Sequence, residues 1–337
     1  MTGDARDPVE DLRRIAYLLE RAHESTRRVQ AFRNAAAVLA GLDPDEIRTR
    51  ARNNTLTNLP GIGDSTAAAI SDSVAGRVPD YLSKVEARLP PSPPPSALRE
   101  ALRGDLHSHS DWSDGGSPIA EMMQAARDLG HDYIALTDHS PRLTVARGLS
   151  AERLREQLEV VRALNEDMAP FRILSGIEVD ILDDGTLDQD PDLLDELDIV
   201  VASVHSKLRM PRTEMTRRMV AAVTNPRVDI LGHCTGRLLE GRGRPESQFD
   251  AETVFTACRD TGVAVEINSR PERLDPPRRL LRLAHDLGCV FSIDTDAHAP
   301  GQLEWQTNGC ARAQEIGVEP ERVINALRVD ELLARPR

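Results

Sequence analysis

Leu12, Ile15, Leu18 and Leu19 recur at helical spacing, and Val29, Phe32, Ala36 and Leu39 repeat the pattern. Residues 9–89 therefore read as helical, with Pro44 near the start of one helix. LPPSPPPS (89–96) ends this: five prolines in eight residues cannot continue a helix and favour an extended spacer. Beyond Leu102 the pattern changes to short apolar runs separated by amphipathic segments. The runs fall at 104–108, 133–137, 172–177, 198–204, 228–232, 263–267 and 290–294. Seven such strands with helices between them predict a parallel α/β sheet or barrel. The expected organisation is an all-α domain at 1–88, a proline-rich linker at 89–101 and an α/β domain at 102–337.

Composition narrows the class. Hydrophobic content of 40% and charged content of 29% are those of a globular protein. No run approaches the roughly 18 apolar residues of a membrane span, and the polar start MTGDARDPVEDL is not a signal peptide. Cys234, Cys258, Cys289 and Cys310 form no CxxC pair, which points to reduced thiols and a cytoplasmic protein. Residues 1–100 carry 14 basic and 14 acidic side chains, so the whole net charge of −13 lies beyond them. That acidity argues against tight non-specific nucleic-acid binding by the α/β part alone, and suits a site that gathers cations.

The chemistry sits where the strands end. The first ends in His107-Ser-His109, followed by Asp114; the second in Asp138-His139; the third in Glu178. The fourth offers His205, the fifth His233, the sixth Glu266 and Asn268, and the seventh Asp296-Ala-His298. Carboxyl ends of parallel barrel strands face one site. An HxH pair also puts both imidazoles on one side of a strand. Six of the nine histidines would thus meet several carboxylates, a donor set for zinc, manganese or iron(II). His23, His131 and His285 fall on helices or loops and read as bystanders. Asp111, Asp183, Asp184, Asp188 and Asp190 read as solvated loop acids.

These motifs (DLHSHSDWSDG, ALTDHS, SGIEVDI, VASVHS, ILGHCTGR, AVEIN and DTDAH) occur in order and resemble those of PHP (polymerase and histidinol phosphatase) domains. The resemblance covers about 102–330. It implies a distorted seven-stranded β/α barrel with three divalent metal ions, zinc and/or manganese, with iron(II) also compatible. Carried over by motif, His107, His109, Glu178 and Asp296 would hold the first ion. Glu178, as a bridge, with His205 and His233 would hold the second, and Asp114, His139 and His298 the third. Glu178, Asp296 and His298 are the catalytic candidates; the last two could shuttle a proton.

HCTGRLLEGRGRP and INSRPERLD resemble loops of PHP domains attached to bacterial family X DNA polymerases, with Cys234 where a proline is usual. Arg237, Arg270, Arg273, Lys207 and Asn268 are the expected phosphate or substrate contacts. LTNLPGIGDSTAAAI (56–70) resembles a helix-hairpin-helix motif. There Gly61 and Gly63 would offer backbone N–H groups to a DNA phosphate without reading sequence. Asp64 stands where a basic residue is common, which lowers the expected affinity. Arg28 and Arg33, in a stretch resembling the opening helices of those polymerases, are further expected DNA contacts. The polymerase palm, with its Gly-Ser pair and catalytic aspartates, is missing between the two domains. The resemblance thus implies a DNA phosphoesterase, a 3′–5′ exonuclease or 3′-end processing enzyme of DNA repair without nucleotide addition. The alternatives are a small-molecule phosphatase of the histidinol phosphatase type and a non-catalytic DNA-bound scaffold.

Overall fold

The computed structural model describes residues 6–89 and 96–335; the proline run at 90–95 lies outside them. Contacts divide the chain into two compact units, Met1–Ser92 and Pro93–Arg337.

The first unit is helical. Its helices are α1 (Pro8–Arg21), α2 (Thr26–Ala40), α3 (Pro44–Arg52), α4 (Asp64–Val74) and α5 (Asp80–Glu86). Asp7 and Asp43 cap α1 and α3 by accepting from Val9 and Asp45 N–H, each ahead of a proline whose ring fixes the first helical φ. Leu12, Ile15, Leu19, Phe32, Leu39 and Ile70 are buried together, as the periodicity requires. Arg33 reaches back from α2 to Glu20 of α1 at 2.6 Å, where the Glu20 side chain is 2% exposed. Between α3 and α4, Gly61 takes φ +87°, a left-handed conformation that lets the chain reverse. Gly63 then caps α4, its N–H donating to Thr66 Oγ1 (3.0 Å) while the hydroxyl donates to Gly63 O (2.9 Å).

The second unit opens with α6 (Ala97–Ala101), inside the expected linker; its Leu98 is buried in the α/β core. Seven parallel strands follow in sheet order β1 to β7: Gly104–Asp105, Tyr133–Leu136, Arg172–Asp180, Ile199–Ser203, Ile230–Leu231, Ala264–Asn268 and Phe291–Asp294. Helices lie between them, including α7 (Ile119–Asp128), α8 (Ala151–Met168), α9 (Pro191–Leu194), α10 (Arg212–Val223), α11 (Ala251–Thr261) and α12 (Arg278–Asp286). Strand β3 is nine residues long and pairs with β2 through 172–175 and with β4 through 176–180. The changeover falls at Gly176, where a Cβ would meet Ile199 O at 2.9 Å and Leu136 O at 3.0 Å.

The paired parts of β1 and β5 are only two residues each, shorter than the apolar runs that predict them. At β1 the cause is the seam with β7, where side chains replace the backbone ladder. Asn325 Nδ2 donates to Gly104 O (3.0 Å) and Ile293 O (2.8 Å), and its Oδ1 accepts from Ile293 N (3.1 Å). Gln306 Nε2 donates to the same two carbonyls. Higher up, Asp294 Oδ1 accepts from Leu106 N, and Asp105 accepts from Thr295 N and Oγ1. A single bridge, Ser108 to Ala297, completes the closure and sets His107 and His109 beside Asp296 and His298. Burial pushes the Asp105 carboxyl up to about 6. Asp294 goes well above the usual range, through burial and the nearby charges of Asp105 and Glu266. The seam residues are fully buried, and most of their polar atoms are satisfied only by one another; Asp294 Oδ2 and Gln306 Oε1 make no hydrogen bond.

Asn325→Ala should leave Ile293 N–H without its partner, remove one of the two donors to Gly104 O and cost about 1–3 kcal/mol. Both tryptophans, Trp112 and Trp305, lie in this unit, so fluorescence during denaturant unfolding reads it separately. An unchanged midpoint would mean that the seam holds without the amide.

Candidate metal centre

Glu178, on the second half of β3, lies at the middle of the site and is 1% exposed. Its Oε1 is 2.8 Å from His233 Nε2 and 3.2 Å from His205 Nε2. Its Oε2 is 2.9 Å from His139 Nδ1, 3.3 Å from His107 Nε2 and 3.6 Å from His109 Nε2. Asp296 Oδ1 approaches His109 Nε2 (3.4 Å) and His107 Nε2 (4.0 Å). Asp114 Oδ1 lies 3.3 Å from His298 Nε2 and 3.4 Å from His139 Nε2. All nine side chains expected at the metal site thus converge. Their donor atoms group as His109–Asp114–His139–His298, His107–Glu178–His233, His107–His109–Asp296 and His139–Glu178–His205.

The electrostatics are those of a cation site. Burial works against charge on Glu178, but His205, His107 and His139 outweigh it and hold its carboxyl well below the usual range. Asp296 is likewise held far down against its burial, by Arg270, His107 and the nearby His109. Burial and the neighbouring His298 and His139 push His109 down to about 3. His139 goes the other way, to about 10, because Glu178 and Asp114 overcome burial. More telling is what these atoms lack. His107 Nε2, both nitrogens of His109 and His205, His139 Nδ1 and both oxygens of Glu178 are buried without a well-formed hydrogen bond. Buried polar atoms are normally satisfied, and divalent ions among them would supply the missing partner.

Neighbouring residues hold the ligands in place. Asp138, next to His139, contributes to none of the metal-ligand groupings. It accepts from Ser110 N (2.8 Å), Ser110 Oγ (2.6 Å), Ser113 Oγ (2.5 Å) and Gln157 Nε2 (2.6 Å). Arg147 donates to the carbonyls of Asp111 and Ser113, and Arg153 to that of Trp112. The loop bearing Asp114, whose side chain is 35% exposed, is thereby clamped from two sides. No feature of the sequence pairs those arginines with that loop, because both come from beyond β2.

The expected substrate contacts divide. Arg273 lies against Asp296 (Nε–Oδ2 3.1 Å), and its buried Nε and Nη1 make no hydrogen bond. Arg270 is tied to Glu272 (2.6 Å), Asp296 O (3.2 Å) and His298 Nδ1 (3.0 Å). Arg237 is spent on the carbonyls of Arg273 and Leu274, so it braces a loop. Lys207 pairs with Asp183 on an exposed surface, where Asp183 remains a solvated loop acid. Asn268 is fully buried between Glu266 Oε2 (3.3 Å) and Asp296 Oδ2 (3.2 Å), out of reach of substrate. Of the expected DNA contacts, Arg28 pairs with Glu24 (2.5 Å), Arg33 with Glu20, and the Gly63 N–H is taken by Thr66. His131, read as a bystander, is buried, and burial carries it down to about 3.

Residues 105–270 match the PHP domain family. The chain carries a PHP domain. Residues 4–77 match a helix-hairpin-helix domain family. The DNA polymerase/3′-5′ exonuclease PolX of Bacillus subtilis is 43% identical over 233 residues, 69% of this chain. The chain spans 40% of that relative's length. A probable phosphatase of a Thermoanaerobacter species is 28% identical over 66% of this chain and 89% of its own length. Among solved structures, the histidinol phosphate phosphatase of Lactococcus lactis, complexed with zinc, L-histidinol and phosphate, matches at a TM-score of 0.47 and 19% identity. That match covers 65% of this chain and 95% of that one. The four cysteines are buried free thiols, and no helix among the described residues is long and apolar enough to cross a membrane.

If the PHP domain takes up metal, added zinc or manganese should stabilise it by mass action. About 2.7 kcal/mol is expected at a hundredfold excess over Kd. Tryptophan-monitored melts with and without chelator measure this. His205→Ala should shrink the gain, and an unmoved wild-type melt would count against any tight site.

Proposed function

We propose that this protein is a metal-dependent phosphoesterase that hydrolyses phosphoester bonds at DNA 3′ ends, in repair or end-cleaning. The observation that carries the hydrolytic reading is the set of buried imidazole and carboxylate atoms facing one another without hydrogen bonds. His107, His109, Glu178 and Asp296 would hold one ion. Glu178 with His205 and His233 would hold a second, and Asp114, His139 and His298 a third. Bound there, such ions supply Lewis-acid stabilisation of a phosphate and lower the pKa of water.

The remaining work belongs to the chain's own residues. Glu178 offers an oxygen to each of two ligand groups, and so fixes their separation. Arg273 has donors to spare beside Asp296 and would take a non-bridging phosphate oxygen. His298, 18% exposed and next to Asp114, has its Nδ1 held by Arg270, which would turn Nε2 to the third ion. The DNA reading is supported by the helix-hairpin-helix domain in the same chain and by the likeness to a 3′-5′ exonuclease. A small-molecule phosphatase is the second reading, favoured by the probable phosphatases that match over most of their length.

Metal-loaded protein should release mononucleotides from end-labelled DNA with free 3′ ends, and should add none when given nucleoside triphosphates. Arg273→Ala should lower that rate by about 10²–10³, the scale of losing one group that stabilises developing charge. Hydrolysis of histidinol phosphate with none of DNA would select the second reading.

Binding is testable apart from hydrolysis. With backbone N–H groups as the contact and no cationic side chain on phosphate, log affinity for DNA against log salt should be shallower than the slope of about −0.9 that one Lys or Arg per phosphate gives. Gly61→Ala forces a side chain into the left-handed region, at a backbone cost of about 1–2 kcal/mol. It should weaken binding in a gel-shift titration; equal affinity would remove the hairpin from DNA recognition.

A further inference from the structure

Glu266, on β6, is fully buried and belongs to none of the four ligand groups. Both of its oxygens already face donors. Oε1 lies 2.6 Å from His107 Nδ1, and Oε2 accepts from the backbone N–H of His233 and from Asn268 Nδ2. Three donors already occupy most of the carboxylate's lone-pair sites, and it stands outside the ligand groups. Its contact with His107 has a chemical consequence, because a carboxylate can only accept. In the neutral imidazole that a metal ligand must be, the proton then sits on His107 Nδ1 and Nε2 is bare. Nε2 is the nitrogen that faces Glu178 Oε2 (3.3 Å) and Asp296 Oδ1 (4.0 Å).

We propose that Glu266 is a positioning residue that fixes the tautomer and orientation of His107, so that His107 presents a bare nitrogen to the metal centre, and that holds the backbone of His233 in place. The inference rests on the metal reading given above and adds a residue to which nothing there assigns a role. His205 has a weaker counterpart in Asp180, at 3.5 Å from Nδ1, and His233 Nδ1 has no hydrogen-bond partner. Asn268 extends the arrangement, since its amide joins Glu266 to Asp296. One acid on β6 thus governs ligands from three other strand ends.

Glu266→Gln tests this at constant volume. A glutamine has one accepting oxygen where donors stand at both oxygen positions, one at Oε1 and two at Oε2. Its NH₂ would face either the His233 N–H, displacing that segment, or His107 Nδ1, driving the proton to Nε2 and blocking the ligand atom. The full-length chain is stripped of metal and titrated with zinc against a competing chelator. In parallel, the zinc-loaded protein, labelled with nitrogen isotope at histidine, is read for which ring nitrogen carries the proton. Wild type should show His107 protonated at Nδ1. Glu266→Gln should bind zinc about 10- to 100-fold more weakly, with that signal lost or moved. Glu266→Asp, which keeps the charge on a shorter arm, should recover part of the affinity.

A space-filling role predicts instead that Glu266→Gln keeps wild-type affinity and the wild-type proton signal; that result overturns the proposal. So does wild-type protein with His107 protonated at Nε2, a reading that needs no variant to fold. Wild-type protein that takes up no zinc at all would defeat the metal reading, a failure distinct from either of these.

Discussion

A buried carboxylate within 3.6 Å of five imidazoles is the constraint around which this domain is arranged. An isolated ionised acid in a dry interior is costly, and it survives only among partners that repay its desolvation. Glu178 meets that condition because β3 is the longest strand and pairs on both sides. His139 comes from β2 on one flank and His205 from β4 on the other, within a short reach. The remaining ligands need the sheet to curl until its edges meet. Closure of the barrel and assembly of the site are therefore the same event.

That closure is unusual in its materials. Backbone pairing would join β1 to β7 with a ladder, but an amide from beyond β7 and two acids do much of the joining here. His107 and His109 follow directly after a two-residue strand. The cost is a set of buried polar groups, each dependent on a specific partner, in a region where water cannot substitute. Asp105 and Asp294 sit there for a reason unrelated to binding ions, although each is two residues from a ligand.

Much of this was legible in the residues. The change from helical to strand periodicity at Leu102 located the α/β part, and histidines recurring at strand ends indicated convergence. Local pattern could not say which neighbours of those histidines are spent elsewhere. Asp138 and His139 are adjacent, yet alternation along an extended chain turns one to the loop and the other to the centre. Arg237, Lys207 and Asn268 have the right chemistry for phosphate and the wrong partners for it, and those partners come from distant segments. Glu266 was visible as a strand-end acid, but its attachment to His107 spans 159 residues. The helix at 97–101 was missed because the prolines before it dominated the reading.

The helical unit bears on what an acidic catalytic domain can do with a polyanion. Arg28 and Arg33 are neutralised by partners within the unit, and residues 1–100 have no net charge. Attraction at a distance is then weak, and DNA would be held by short contacts to backbone N–H groups of the hairpin turn. Gly63 contributes its N–H to the α4 cap, which leaves the left-handed turn at Gly61 and the first turn of α4 as the surface on offer. Such a grip is feeble and indifferent to sequence. That suits an enzyme whose discrimination lies in the reaction centre more than in its hold on DNA. A tighter hold on duplex DNA would keep the protein away from the ends it is proposed to process.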